Sequence, residues 1–228
     1  MLTGKTLLKS AFILCTILFF APQDVQASHI VGGDLTYRCL GNNMYLIRLT
    51  VRRDCFFGDP DAFFDDPASI GFYDGVSGQF LSFLGTSGLL IPYNTTDTLN
   101  ETLISDCSVV SGDVCVHTTT YVSTIFLPFR ATGYTMAYQR CCRNITLNNI
   151  EDPTDTGMTL IADLSALAQQ ECNSSPQFGD YAPIYTCVNK PILYDHSADD
   201  PEGDSLVYSL CTPYSGATET SPRPQPPV

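Results

Sequence analysis

Two acidic stretches and a set of cysteines are the parts of this chain able to do chemistry. Asp199, Asp200, Glu202 and Asp204 crowd the segment 195–204 around Pro201 and Gly203. Carboxylates gathered at such a turn offer the hard oxygen donors that calcium takes, and these four are the calcium ligands the sequence nominates. Their spacing departs from an EF-hand loop, which needs a bidentate acid at its twelfth position. A solvated acidic turn is the other reading of the same residues. The second stretch is Asp59-Pro60-Asp61-Ala62-Phe63-Phe64-Asp65-Asp66-Pro67. Paired carboxylates can serve as acid and base on a glycosidic bond, but two prolines and a Phe pair give this stretch the character of a packed loop. Gly-x-Ser-x-Gly, Walker and His-Glu-x-x-His patterns are absent from the sequence. No catalytic residue is assigned, and a non-enzymatic role is expected.

The cysteines speak first about compartment. Lys5 and Lys9 precede an apolar run, AFILCTILFFAP, and Val25-Gln26-Ala27 precedes Ser28. This is the pattern of a secretory signal peptide cut between Ala27 and Ser28. The run is shorter than the ~20 residues that span a bilayer, so the mature chain is expected to have no membrane-spanning segment. Cys15 leaves with the leader. Cys39, Cys55, Cys107, Cys115, Cys141, Cys142, Cys172, Cys187 and Cys211 remain. In an exported chain they imply a disulfide framework, and the odd count leaves one thiol without a partner in the chain. No Cys-x-x-Cys pair occurs, and His29, His117 and His196 are scattered, so zinc has little support.

Strand geometry limits the pairing. Side chains alternate between the faces of a strand. If the strand 134–142 stays regular, Cys141 and Cys142 point apart and take separate partners; a bond between the two requires a distorted peptide. Cys39 lies beside a turn at 41–43, and Cys55 lies ten residues along the second strand, on the order of 33 Å away. These two are too far apart to pair. At most one of them reaches the vicinal pair, and Cys172 is expected at the other position. Cys107 and Cys115 flank a short segment and are expected to close a local loop. Cys187 and Cys211, in neighbouring strand candidates, are expected to pair.

The elements that position these residues are mostly strands. Tyr45, Ile47, Leu49 and Val51 alternate with Leu46, Arg48, Thr50 and Arg52. With 35–39 and the turn at 41–43 they predict a hairpin. Further strands are predicted over 69–73, 79–84, 114–127, 134–142 and 158–162. Residues 164–172 form the one predicted short helix, and 92–113 is a polar excursion. Residues 1–27 are the leader, and 28–183 are predicted as an all-β domain, a disulfide-braced antiparallel β-sandwich of Ig-like type. Strands over 184–188, 191–194 and 205–211 open a second, incomplete β-sandwich spanning 184–215. Residues 216–228 are a Pro-rich linker. Two or three strands do not make a stable sandwich, so the natural protein is expected to continue past residue 228.

The chain has 228 residues, 44% hydrophobic and 15% charged, with a formal net charge of −13. That charge argues against nucleic acid and against an anionic membrane surface.

Several segments carry a family resemblance: SHIVGGDLTYRCLGNNMYLIRLTVRRDC, FDDPASIGFYD, AYQRCCRN, ECNSSP and DHSADDPEGDSLVYSLCTP. Together they resemble the N-terminal region of large exported surface proteins of Bacteroidota. Those proteins are gliding-motility-associated and adhesin-like, and often carry PKD-type or other Ig-like repeats. The resemblance implies export by the type IX route and surface attachment through a C-terminal region not present in this sequence. DPEGDSLVYSL is similar to the calcium-linked acidic motif of cadherin-like and PKD-like sandwiches, which implies that the unit from 184 onward is of that kind. The expected role is a non-enzymatic secreted or cell-surface module for structure, adhesion or gliding, with extracellular glycans or surface proteins as partners. The alternative is a carbohydrate-binding or polysaccharide-processing module of an exported enzyme.

Overall fold

Alternation along the second strand dictates the first layer. Tyr45, Ile47, Leu49 and Val51 are buried on one face, and the residues between them point outward, as period-two patterning requires. The computed structural model describes residues 29–58, 62–85, 87–99, 115–179, 189, 191, 193–218, 220, 221, 223 and 224. Within them the strands are β1 (Ile30–Cys39), β2 (Met44–Asp54), β3 (Ala68–Asp74), β4 (Leu89–Ile91), β5 (Asp97–Thr98) and β6 (Val116–Phe126). They continue as β7 (Tyr134–Arg140), β8 (Met158–Leu164), β9 (Gln177–Phe178) and β10 (Ala198–Asp199). Among the described residues one α-helix, α1 (Ala166–Glu171), follows β8.

Two four-stranded sheets form, in the orders β1-β2-β6-β5 and β4-β3-β7-β8. Every pairing between their strands is antiparallel. They face each other across one core. Leu35, Tyr37, Tyr45, Ile47, Leu49, Val51 and Tyr121 come from the first sheet; Ile70, Phe72, Tyr134, Met136, Tyr138 and Leu164 come from the second. This is the all-β, disulfide-braced sandwich expected from the sequence. The predicted hairpin is in register, with Cys39 opposite Tyr45. Asn42 and Asn43 turn it at positive φ, a conformation asparagine tolerates better than most residues.

α1 forms where the sequence placed it. The Ser165 hydroxyl caps it by accepting from the Ala168 N–H at 3.0 Å, satisfying one of the orphan donors of the first turn. The Gln169 side chain is buried and grips the Arg130 backbone, accepting from its N–H at 2.9 Å and donating to its carbonyl at 3.1 Å.

Where the two sheets meet along β1 and β8, only a glycine fits. A Cβ on Gly33 would lie 2.5 Å from the Thr50 carbonyl oxygen and 2.7 Å from Leu160 Cδ1.

Three predicted strands are corrected. Residues 79–84 hold an isolated bridge, Phe80 to Tyr73, and then a 3₁₀ turn at Ser82–Leu84. Gly78 and Gly85, both at positive φ, bend the chain at either side, so no ladder extends. Residues 205–211 form no strand. Val207 and Leu210 are almost wholly exposed, because among the described residues no strand edge lies alongside to pair with them. Pro191, Leu193 and Tyr194 are likewise outside any strand. The strand predicted over 184–188 lies outside the described residues, and the polar excursion is described only to residue 99, where it contributes β5.

The trailing chain returns to the sandwich. Thr159 N–H donates to the Tyr214 carbonyl at 3.3 Å. Ala217 is buried against Cys141 and Cys142, and Arg223 reaches Asp65. The tail predicted as a free linker is therefore anchored at its start. The tight fit at Gly33 predicts that Gly33→Val destabilises the chain by about 1–3 kcal/mol. A urea or thermal midpoint equal to that of the parent would show that β1 and β8 do not close as described.

Candidate functional site

The nominated calcium ligands lie near one end of the β1–β8 seam, and carboxylate oxygens of Asp200, Glu202 and Asp204 accept hydrogen bonds from the protein. Asp200 Oδ1 accepts from the N–H groups of Glu202 and Asp204 at 3.0 and 2.9 Å. The Glu202 carboxylate accepts from Ser174 N–H at 3.0 Å and from its hydroxyl at 2.9 Å. Asp204 accepts from the Asn173 amide, and Asp199 lies in β10, paired with Gln177. Among the described residues these four do not bring three ligand atoms within 4.8 Å of one another. The one set that does is Cys55, Cys115 and His117, and its two sulfurs are joined to each other.

The second acidic stretch is described from Ala62 onward, with Asp59 to Asp61 outside the described residues. Asp65 and Asp66 do not form an acid–base pair. Asp65 is buried and bonded on both oxygens: Arg140 and Arg223 meet Oδ1, and the Tyr138 hydroxyl donates to Oδ2 at 2.8 Å. The Tyr121 hydroxyl donates to the Asp65 carbonyl at 2.7 Å, and Arg140 also donates to the Phe63 carbonyl. Burial, and after it the Asp65 charge, push the Tyr121 and Tyr138 phenols far above their ordinary range. They stay protonated and act as donors. Asp66 is exposed and accepts from the Tyr93 N–H at 3.0 Å.

A third aspartate, not singled out in the sequence, ties a turn. Asp74 accepts from the N–H groups of Val76 and Ser77 at 3.1 and 2.9 Å, from the Thr132 hydroxyl, and from Arg130 at 2.9 Å. The Ser77 backbone bond, then the Thr132 hydroxyl bond, hold its carboxyl far below the usual range.

The cysteines pair differently from the expectation in four respects. Cys39 bonds Cys172 and Cys55 bonds Cys115; Cys39 and Cys55 stay apart, as hairpin length requires. Cys141 and Cys142 bond to each other. Strand phase does not extend to the pair, because β7 ends at Arg140, one residue before it, and the peptide joining the two cysteines is cis. Cys172 is thereby free for Cys39, which α1 brings to the end of β1. Cys115 immediately precedes β6, and β6 pairs with β2 along its whole length, so Cys115 faces Cys55 instead of a local partner. Cys211 is unbonded and exposed, so the expected Cys187–Cys211 bond does not form; the stretch 205–211 that was to carry it beside a neighbouring strand forms no strand. Cys107 and Cys187 lie outside the described residues.

The seam also carries two adjoining clefts. The larger, about 600 Å³, is lined by Tyr37, Leu160, Asp163, Ser174, Asp200 and Asp204 among others. The second, about 410 Å³, lies over the outer face of β1 and β2, and its lining includes Thr36, Arg48, Arg52, Gln177, Tyr194 and His196. Gly33, Asp34 and Phe178 line both. Sequence reasoning did not nominate this face, although the outward phase of β2, Leu46-Arg48-Thr50-Arg52, carried its signal.

Among the described residues no helix is long and apolar enough to cross a membrane. No protein-family model, curated protein or solved structure matches the chain.

Two predictions follow from the aspartates. Asp65→Asn leaves Arg140 buried without its counter-charge and costs about 3–5 kcal/mol, whereas Asp66→Asn, at an exposed bond, costs about 1 kcal/mol or less; equal denaturant midpoints for the two variants would refute the assignment. Asp74, with its folded pKa depressed, contributes stability that is complete above the unfolded carboxylate pKa of about 3.9. That contribution is lost as pH falls through the depressed folded value. Asp74→Asn should therefore shrink the difference in melting temperature between pH 7 and pH 2, and a pH profile parallel to the parent's would contradict it.

Proposed function

We propose that this chain is a non-enzymatic, exported module for structure or adhesion, belonging to a larger cell-surface protein. The observation that carries the reading is the fate of its chemical side chains. Asp65, Asp66, Asp74, Asp200 and Glu202 each hold backbone or a buried cation in place. A hydrolase keeps one carboxyl group protonated and another free to face substrate; these carboxylates are occupied by the fold.

Export is supported by the leader ending at Ala27 and by the three disulfides among the described residues, bonds that persist in oxidising compartments. A disulfide contributes about 2–4 kcal/mol, of use to a domain that works outside the cell. The resemblance to gliding-motility-associated and adhesin-like surface proteins of Bacteroidota places the module near the start of such a protein, with type IX export and attachment supplied by a later region. Extracellular glycans or surface proteins are the partners that suit this location.

Expression with the leader in an exporting bacterium should give a protein that begins at Ser28 and yields the Cys39–Cys172 and Cys55–Cys115 peptides in non-reducing digests. It should release no new reducing ends from a panel of polysaccharides. Reducing ends released by the parent and absent with Asp66→Asn would make the chain an enzyme. A cytoplasmic product retaining residues 1–27 would end the export reading.

A further inference from the structure

From the cleft over β1 and β2 we infer a binding site for an acidic polysaccharide, one built of uronic acids. The inference rests on the adhesion reading and names the ligand class for it. Three of the eleven Lys and Arg residues of a chain with net charge −13 fall on this one face. Arg48 is exposed in the outward phase of β2, and Arg52 follows four residues along the strand in the same phase. Thr36 and Arg48 are cross-strand partners. A smaller adjoining cavity, about 100 Å³, is lined by both Arg38 and Arg48, so the row of guanidinium groups continues past the main cleft.

The chemistry suits a carboxylated sugar. A guanidinium presents a planar fork that matches a carboxylate, and Arg52 already holds one in this cleft, Asp34 at 2.9 Å. Arg48 makes no ion pair among the described residues and is the group that would receive the carboxylate of the ligand. Thr36 and Gln177 supply neutral donors and acceptors for sugar hydroxyls. Phe178 is two-thirds exposed, and with Tyr194 it gives the rim aromatic faces on which the C–H face of a pyranose can rest. A volume of about 410 Å³ lies in the range of small-ligand sites.

The adjoining cleft sets the direction of the chain. Asp163, Asp200 and Asp204 line it, and their charge repels a polyanion. The polysaccharide therefore runs along the β2 side, from Arg52 past Arg48 toward Arg38, and does not cross the seam.

The test is calorimetric titration of the purified full chain with oligogalacturonate, and with a neutral glucan and a sulfated glycan of equal length. Oligogalacturonate should bind and the neutral glucan should not, and raising the salt should weaken the binding. Arg48→Ala should weaken it about tenfold or more while leaving the melting temperature unchanged, since the side chain is exposed. Tyr194→Ala should weaken it as well. The site is refuted if oligogalacturonate fails to bind at low salt, if Arg48→Ala binds as the parent does, or if the neutral glucan or the sulfated glycan binds better. Any of those results leaves the non-enzymatic reading standing. Shortening of the oligogalacturonate during the titration would overturn that reading and leave the cleft as a binding site.

Discussion

Asp65 is a charge in the interior, and an interior charge is costly. Removing a carboxylate and a guanidinium from water costs several kcal/mol per ion, recovered only when the remaining lone pairs and protons find partners. Here they do. Arg140 and Arg223 meet one oxygen, Tyr138 meets the other, and Tyr121 takes the carbonyl of the same residue. Arg140 comes from the end of β7, Tyr121 from β6, and Arg223 from the returning tail. Apolar contacts among Ile47, Leu49, Phe72 and Met136 supply the driving force for closing the two sheets, but such contacts are non-directional. The Asp65 bonds are directional. They fix where the 62–67 loop, both sheets and the tail stand relative to one another, and an approximate arrangement would leave a buried charge unpaired.

The tail and the segment after α1 answer a second constraint, the open edges of the sheets. An edge strand presents unpaired N–H and C=O groups that invite another chain. β1 is an edge, and Ser174 and Ser175 cover it. Ser175 N–H donates to the Tyr37 carbonyl at 3.0 Å, and Tyr37 and Cys39 N–H groups donate to the Ser175 and Ser174 hydroxyls. β8 is the matching edge of the other sheet, and the Tyr214–Ala217 stretch lies along it. A Cβ on Gly157 would collide with the Ala217 carbonyl, so the covering chain lies directly on the strand. Glu202 holds Ser174 in place. The acidic segment thus braces the cover of β1, which gives its carboxylates a structural use independent of any ion.

What the sequence revealed followed from periodicity and length. The β1–β2 hairpin was legible because eight consecutive residues alternate without a break and two asparagines turn the chain. The separation of Cys39 from Cys55 was legible because a strand has a fixed rise per residue. The vicinal bond was not, since it depends on where β7 stops, and strand ends are set by tertiary packing. Cys115 opposite Cys55 depends on the pairing of β2 with β6, two strands distant in sequence. The stretch 205–211 has the composition of a strand, but a strand exists only where an edge is available. The Asp65 site was half visible: the acids were seen, while their partners at 140 and 223 lie 75 or more positions away. The arginine face was present in the outward phase of β2, but a phase says only that residues share a side, and the overlying segment that makes it a cleft arrives more than a hundred residues later.

Electrostatics sets the terms on which such a face can act. At a distance the chain presents net negative charge, so a polyanion is not steered toward it. At physiological ionic strength that field is screened beyond about 8 Å. Inside that length the local groups decide, and over β2 these are Arg48 and Arg52 against the single acid Asp34. Only a short way across β1 the sign reverses at Asp163, Asp200 and Asp204. An anionic ligand can therefore be held only in close contact, by groups that match its shape. The lack of long-range attraction, together with a demanding short-range fit, favours discrimination over rapid capture. A repeating anionic ligand would suit that balance, because the number of contacts along it supplies the strength that each single contact lacks.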